Sequence, residues 1–382
     1  MGKTVCLVMI VKNESKIIEK CLDHVIKYID YWVICDTGSS DGTPSIIKKY
    51  FEKKGISGEL YEDKWVDFAH NRTLAFQKAK FKADYSFVMD ADDRLIGELI
   101  IPEGDYTDFR IKFKLNTIEF HRKLIFKNDL DWKYVGVVHE YPCLIDSTIP
   151  TESGVINNCY IKDGQCGARS NTGSCKFDRD IKLLLKGIKN EPNNDRYYFY
   201  LAQSYYDIGD SENAMKYYKK RITMAGWNEE VYYSMYRYAQ CKMKLKDKLN
   251  ITFEEVALDY IKAYNYRPCR LEALYDIVRY CRENEKIQMA YAFAIMAYDT
   301  FTNYPQDILF VDGDIHKYKF MDELAISAYY SNNHTLAISI NNKLIEMINN
   351  NEINLDLQRI NQNKKFSVEA FKKNMVEYIS NN

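Results

Sequence analysis

Near residue 176 the chain changes the spacing of its apolar residues, and that change limits the available folds more than any other feature. Before it, short β-branched runs alternate with amphipathic stretches, the pattern of a parallel sheet covered by helices. After it, small and aromatic residues recur with a period of ~34–40 residues, as stacked helix pairs require, because each pair buries its apolar face only against its neighbours. The sequence therefore predicts an α/β domain over residues 1–175 and an all-α helical repeat domain over residues 176–382.

Composition allows this and excludes other classes. A chain of 382 residues accommodates two or three domains of ~100–200 residues each. With 46% hydrophobic and 28% charged residues it has the make-up of a folded protein, not of a disordered or disulfide-knotted one. Lys plus Arg is 53 against 54 for Asp plus Glu, so no global positive field favours nucleic acid, and none is expected as a partner. The first apolar run, residues 5–11, is too short to span a membrane and lacks a small-residue cleavage site, which leads to the expectation of a cytoplasmic protein without a membrane span. Cys6, Cys21 and Cys35 sit inside apolar runs and read as small hydrophobes. Cys166 and Cys175 share one loop and could pair under oxidation.

Along the first half, residues 4–11 read as a strand buried on both faces, and residues 15–29 as a helix with Ser15 as N-cap. A second strand, 31–35, leads through a Gly- and Ser-rich loop to a helix opened by Pro44. A third strand near 59–61 precedes a helix running to Phe81, and a fourth, 85–89, runs straight into Asp90-Ala91-Asp92-Asp93. Segments 109–115 and 117–126 alternate as antiparallel strands do, and 150–176 reads as a long loop between the domains. In the second half, Leu201, Ala202, Tyr205, Gly209, Ala214 and Tyr218 fall at the positions of a tetratricopeptide-type unit. Worn copies follow around Ala239–Pro268, Ala273–Pro305 and Ala325–Ala337, giving about three or four helix pairs.

In an open α/β sheet, ligands sit outside the carboxyl ends of the strands. The residues there are Asn13-Glu14, Asp36, and Asp90, Asp92 and Asp93. So acidic a cluster repels a bare phosphate, since like charges a few ångströms apart cost several kcal/mol at intermediate dielectric. A hard divalent cation, Mn2+ or Mg2+, resolves the conflict, because it takes one or two carboxylates and completes its shell with water and substrate phosphates. An EF-hand is excluded, since Leu95 stands where that loop needs Gly. Residues 38–43 lack the Lys of a phosphate loop, and Asp312-Gly313-Asp314 reads as a turn among helices.

Five segments in order carry a family likeness: Met9-Ile10-Val11-Lys12-Asn13-Glu14, Asp36-Thr37-Gly38-Ser39-Ser40-Asp41-Gly42-Thr43, Phe68-Ala69-His70-Asn71-Arg72, Asp90-Ala91-Asp92-Asp93 and Gly136-Val137-Val138-His139-Glu140. With them the first ~170 residues resemble the family-2 type glycosyltransferases of GT-A fold, a Rossmann-like mixed sheet. The segments Tyr200-Leu201-Ala202-Gln203-Ser204-Tyr205 and Arg267-Pro268-Cys269-Arg270-Leu271-Glu272-Ala273-Leu274 resemble bacterial and viral members in which tetratricopeptide-like repeats follow the catalytic domain.

The resemblance implies metal-dependent, inverting transfer of a hexosyl or N-acetylhexosaminyl group from a UDP-sugar to a polypeptide or glycan acceptor. It implies a donor site of Val11, Asn13, Glu14, Asp36, Arg72, Asp90, Ala91, Asp92 and Arg169. Within it Asp92 holds the metal, Asp90 lies nearer the ribose and first phosphates, and Asp36 meets uracil or ribose. Arg72 offers a planar fork to phosphate or a base edge. Glu140, which follows the apolar run 134–138 and resembles the acidic residue that ends a comparable strand in the family, is the implied general base, with His139 as an alternative base or a metal ligand. Where many members carry a His as third metal contact this chain has residues 160–164, so that contact is Asp163 or absent, and Arg169 could close over the diphosphate. Trp65, Phe68, Trp132 and Tyr134 are aromatics that could stack an acceptor or fill the core. Two rivals remain: a non-catalytic repeat scaffold with a degenerate transferase domain, and a sugar nucleotidyltransferase, although the Gly-rich basic loop of the latter does not follow Val11.

Overall fold

A computed structural model describes residues 2–162, 175–298 and 304–381. Asp163, Cys166 and Arg169 lie outside the described residues. The chain divides into two compact units, Met1–Asp210 and Ser211–Asn382.

The first unit opens with alternating strands and helices: β1 (Val5–Val11), α1 (Ile18–Val25), β2 (Tyr31–Asp36), α2 (Thr43–Lys54), β3 (Gly58–Glu62), α3 (Phe68–Ala79) and β4 (Tyr85–Val88). It continues as strands β5 (Arg94–Gly97), β6 (Asp108–Leu115), β7 (Ile118–Lys127), β8 (Trp132–Val135), β9 (Tyr141–Leu144) and β10 (Ser153–Lys162), then helices α4 (Cys175–Asn190) and α5 (Asp195–Asp207). Its main sheet runs β3-β2-β1-β4-β7-β6-β10-β5, while β8 and β9 form a separate ribbon. The first four strands are parallel, β7 is antiparallel to both β4 and β6, and β10 is parallel to β6. The sheet is therefore mixed, as the sequence predicts.

The pleat explains why β1 is apolar throughout. Leu7 and Met9 face a core built with Ile18, Leu22, Ile47 and Phe51 of α1 and α2. Cys6 and Val8 face the opposite layer, with Ala75 and Phe76 of α3 and Trp132 and Tyr134 of the ribbon. Burial pushes the Cys6 and Cys35 thiols up to about 12, so they serve as small hydrophobes.

Three expectations need correction. The first helix begins at Ile18, because the Ser15 N–H donates to the Asp41 carboxylate (3.0 Å) and residues 12–17 are used as a loop. The expected long loop at 150–176 contains the ten-residue strand β10. The apolar run before Glu140 is strand only to Val135, since Gly136 takes φ +114° and ends it. Of the two roles left open for Trp132 and Tyr134, the structure shows the core one, with the rings packed on Phe126 and Phe76 respectively.

The second unit is helical: α6 (Ser211–Ile222), α7 (Asn228–Lys244), α8 (Lys246–Leu249), α9 (Phe253–Tyr266), α10 (Glu272–Glu283), α11 (Ile287–Met296), α12 (Phe320–Tyr330), α13 (His334–Asn349) and α14 (Leu357–Asn381). Sequence neighbours pack on one another from α6 to α14, as stacked helical units do. The small residues of the repeat pattern, among them Ala214, Ala239, Ala263, Ala290 and Ala337, are fully buried at these crossings. Thr252 and Glu255 form a capping box that starts α9. The triplet Asp312-Gly313-Asp314, expected as a turn, instead opens a helical segment, with the Asp312 side chain accepting from the Asp314 and Ile315 N–H groups. No described helix is long and apolar enough to cross a membrane.

The composition boundary at 175/176 precedes the division between the units. Helices α4 and α5 pack on each other, and Tyr200 of α5 stacks on His139, so both helices fall in the first unit.

Candidate active site

Strands β1, β2 and β3 follow one another outward, while β4 lies on the other side of β1, so the strand order reverses at the β1/β4 boundary. A crevice for ligand opens outside the carboxyl ends at such a point. The loops after β1 and β2 line it and are tied together. The Val11 carbonyl accepts from the Thr37 N–H (2.9 Å) and Oγ1 (3.1 Å). The Asn13 N–H donates to Ser39 Oγ (2.8 Å), its Oδ1 accepts from the Ser40 N–H (2.8 Å), and the Glu14 N–H donates to Thr43 Oγ1 (2.9 Å). Asn13 takes φ +58° and Gly38 φ +100°, which bends the two loops toward each other. Asp41 is the knot. Although burial raises its pKa, hydrogen bonds from Thr43 and Ser15 hold it well below the usual carboxylate range.

Asp36 ends β2 with only 3% of its surface exposed. Its Oδ1 accepts from the Gly38 (2.9 Å) and Ser39 (2.8 Å) N–H groups, but its buried Oδ2 has no hydrogen-bond partner. Leaving a buried acceptor unsatisfied costs about 1–3 kcal/mol. That oxygen is positioned to receive an N–H or hydroxyl from a ligand.

Beyond β4 the chain turns through Asp90, buried Ala91, half-buried Asp92 and buried Asp93. The Asp93 N–H donates to the Asp90 carbonyl at 3.1 Å. Arg72 reaches this turn from the second turn of α3, whose start is capped by Asp67. Its Nη2 donates to Asp90 Oδ1 (2.6 Å) and its Nε to Glu140 Oε1 (2.9 Å). The guanidinium carbon also lies 5.6 Å from the centre of the Tyr134 ring. Burial lowers the Arg72 pKa, yet the Asp90 and Glu140 charges outweigh it and the net shift is upward. Arg72 is thus a fixed cation joining two carboxylates that are 50 residues apart in sequence (140 − 90).

Glu140 ends the loop between β8 and β9, in which Gly136 and His139 both have positive φ. His139 is not on a strand. It is exposed, its ring lies on Tyr200 at 3.9 Å and 11°, and its carbonyl accepts from Arg196 Nη2 (3.3 Å). The other aromatic pair named from sequence, Trp65 and Phe68, meets edge to face at 4.7 Å, with Trp65 38% exposed.

The described residues include no group of three or more His, Cys, Asp or Glu side chains able to hold a metal. An all-protein cage is therefore absent from them. The carboxylates of Asp90 and Asp92 are of the kind a hard ion takes when it uses one or two protein oxygens and fills its shell from water and a diphosphate. Sequence reasoning missed Asp41, Tyr200 and Arg196. Asp41 and Tyr200 both stood inside segments already singled out, Tyr200 in one that reads only as repeat packing, whereas Arg196 stood in none.

Comparison with known proteins bears on this crevice. Residues 6–101 match the family model Glycosyl transferase family 2, a stretch that holds β1 to β4, Asp36, Arg72 and the Asp90 turn. The chain is 26% identical over 245 residues to the SPbeta prophage-derived glycosyltransferase SunS of Bacillus subtilis, covering 57% of this chain and 53% of that protein. It thus spans about half the length of this curated relative. It is 29% identical over 156 residues to a TPR repeat-containing protein of Synechococcus elongatus, covering 38% of this chain and 36% of that one. Among solved structures, BtubC from P. vanneervenii superposes with a TM-score of 0.38 at 12% identity, covering 53% of this chain and 84% of that chain.

Proposed function

We propose that the first unit transfers a hexosyl or N-acetylhexosaminyl group from a UDP-sugar to an acceptor hydroxyl, with inversion in a single displacement. The observation that carries the reading is the Arg72 bridge, which brings the donor-side carboxylate Asp90 and the loop carboxylate Glu140 into one crevice. Glycosyl transfer is also what the family-2 match and the likeness to SunS support.

Each residue then has a task. Asp36 offers its bare Oδ2 to the uracil N–H or a ribose hydroxyl, and the knotted loops at Asn13 and Ser39 hold the nucleoside. Arg72 holds Glu140 Oε1, and Glu140 takes the proton of the acceptor hydroxyl as that oxygen attacks the anomeric carbon. The bond from that carbon to the diphosphate oxygen breaks, and UDP leaves with the electron pair. Mn2+ or Mg2+ on Asp92 would supply Lewis-acid stabilisation of the charge growing on the diphosphate. A polypeptide or glycan is the acceptor, and the helical second unit favours the polypeptide, since stacked helical repeats build surfaces that bind chains.

Thermal unfolding with nucleotides, with and without MnCl2, tests the reading. UDP should raise the melting temperature, Mn2+ should enlarge that rise, and Asp92→Ala should lose only the metal-dependent part. Stabilisation by nucleoside triphosphates instead would favour a nucleotidyltransferase, and no nucleotide effect would favour a scaffold.

A further inference from the structure

The loop that carries Glu140 joins two four-residue strands in a ribbon separate from the main sheet, and that ribbon is anchored on α3 by the packing of Trp132 and Tyr134 and by the Tyr134 N–H donating to Thr73 Oγ1 (2.9 Å). Two of its residues, Gly136 and His139, sit in the left-handed region, which for His139 must be imposed from outside. Arg72 grips the loop on one side through Glu140.

The other grip comes from α4 and α5. The Tyr200 ring stacks flat on His139, the residue next to Glu140. The Arg196 guanidinium lies 4.7 Å from the Tyr200 ring and 5.0 Å from the Tyr141 ring, and donates to the His139 carbonyl. On α4, a Cβ at Gly187 would come within 3.2 Å of Val137 Cγ2, so the helix backbone is pressed against the same loop. Residues 137, 139 and 141 are thus each held by the helical pair, and their spacing leaves Glu140 between them facing Arg72.

We propose that α4 and α5 belong to the catalytic machinery as a buttress, with Tyr200 the positioning residue that sets Glu140 through His139. The inference rests on the reading of Glu140 as the base. Tyr200 touches no substrate. Its contribution is the placement of a proton acceptor, and misplacing a reacting group by about 1 Å can cost roughly a hundredfold in rate.

The test uses the full chain and measures UDP release from UDP-glucose, UDP-galactose and UDP-N-acetylglucosamine with water as acceptor. Tyr200→Ala should lower kcat roughly 10- to 100-fold while the KM for donor and the thermal shift given by UDP stay unchanged, and Tyr200→Phe should restore the rate. In a Glu140→Gln background, where little is left to position, adding Tyr200→Ala should cost nothing further. Arg196→Met, which keeps the stem and loses the guanidinium, should lower kcat several-fold and serves if Tyr200→Ala does not fold. A native rate in both Tyr200→Ala and Arg196→Met overturns the inference, as does the same fractional loss in the Glu140→Gln background or a lost UDP shift. A native rate in Glu140→Gln overturns the underlying reading instead, and an inactive Glu140→Gln beside native rates in both Tyr200→Ala and Arg196→Met overturns the buttress alone.

Discussion

Each unit of the molecule holds a buried arginine between two carboxylates, and the two clusters differ in what they leave unfinished. Arg270 in the second unit is 0% exposed and donates to Glu272, to Asp307 (3.2 Å), and to the carbonyls of Leu309 (3.1 Å) and Phe310 (2.9 Å). Glu272 in turn accepts from the Tyr232 hydroxyl and the Asp312 N–H, both at 3.1 Å. That network is closed. Arg72 in the first unit is also buried, yet the side chains it holds, Asp90 and Glu140, remain 32% and 12% exposed. A closed network fixes a fold, because removing one partner strands a buried charge. An open one keeps oxygen atoms for something that comes and goes.

Three substitutions can break that contrast, taken from the largest effect down. Glu140→Gln preserves shape and removes the proton acceptor, so the transfer rate should fall roughly 10²–10⁴-fold with the UDP thermal shift intact. An undiminished rate would place the base elsewhere. Arg270→Met leaves Glu272 buried with only His316 beside it, while Asp307 keeps Arg267, and should destabilise the second unit by about 3–5 kcal/mol, read as a lower urea midpoint. A loss under about 1 kcal/mol would show the cluster to be replaceable by packing. Asp36→Asn should weaken UDP binding by about 1.5 kcal/mol, roughly tenfold, in a calorimetric titration. Because the native Oδ2 is unsatisfied, the same variant should be at least as stable as the parent without ligand, and a marked loss of stability would assign Asp36 to the fold instead.

How much of this the sequence shows follows from the range of each interaction. Strands β1, β2 and β4 are legible because an apolar run and its acidic end are adjacent in the chain. The β6 and β7 pair is legible because its alternation spans eight and ten residues. Strand β10 is hidden. Its buried residues Gly154, Ile156, Cys159 and Ile161 lose their period at exposed Asn157-Asn158, where the pairing to β6 shifts register. The end of β8 is hidden for a related reason, since Val137 and Val138 prolong an apolar run that Gly136 has already broken. The Arg72–Glu140 pair spans 68 residues and Arg270–Asp307 spans 37, so neither leaves a local trace. Arg270 entered the sequence reading only as part of a repeat segment, and nothing in the spacing separated its role from that of Arg72.

Acid should sharpen the comparison with the smallest effect. His121 on β7 faces Lys112 across the sheet. Burial, and then the charges of Lys112 and Arg110, push its imidazole from 6.5 to about 4, against a partial counter-pull from Glu119. The folded chain therefore keeps His121 neutral where the unfolded chain binds a proton, and stability falls as pH drops from about 6.5 toward about 4, then levels off. Glu272 behaves otherwise. Burial raises its pKa, but Arg270 and His316 outweigh burial and hold it well below 4.5, so its contribution is complete above that value and is lost only as pH falls below it. Acidification should thus loosen the first unit before the second. Urea midpoints at pH 7, 5.5 and 4 for the native chain and for His121→Gln provide the measurement. The native midpoint should drop more steeply across that range than that of the variant, and parallel curves would mean that His121 is as free to ionise in the folded sheet as in the unfolded chain.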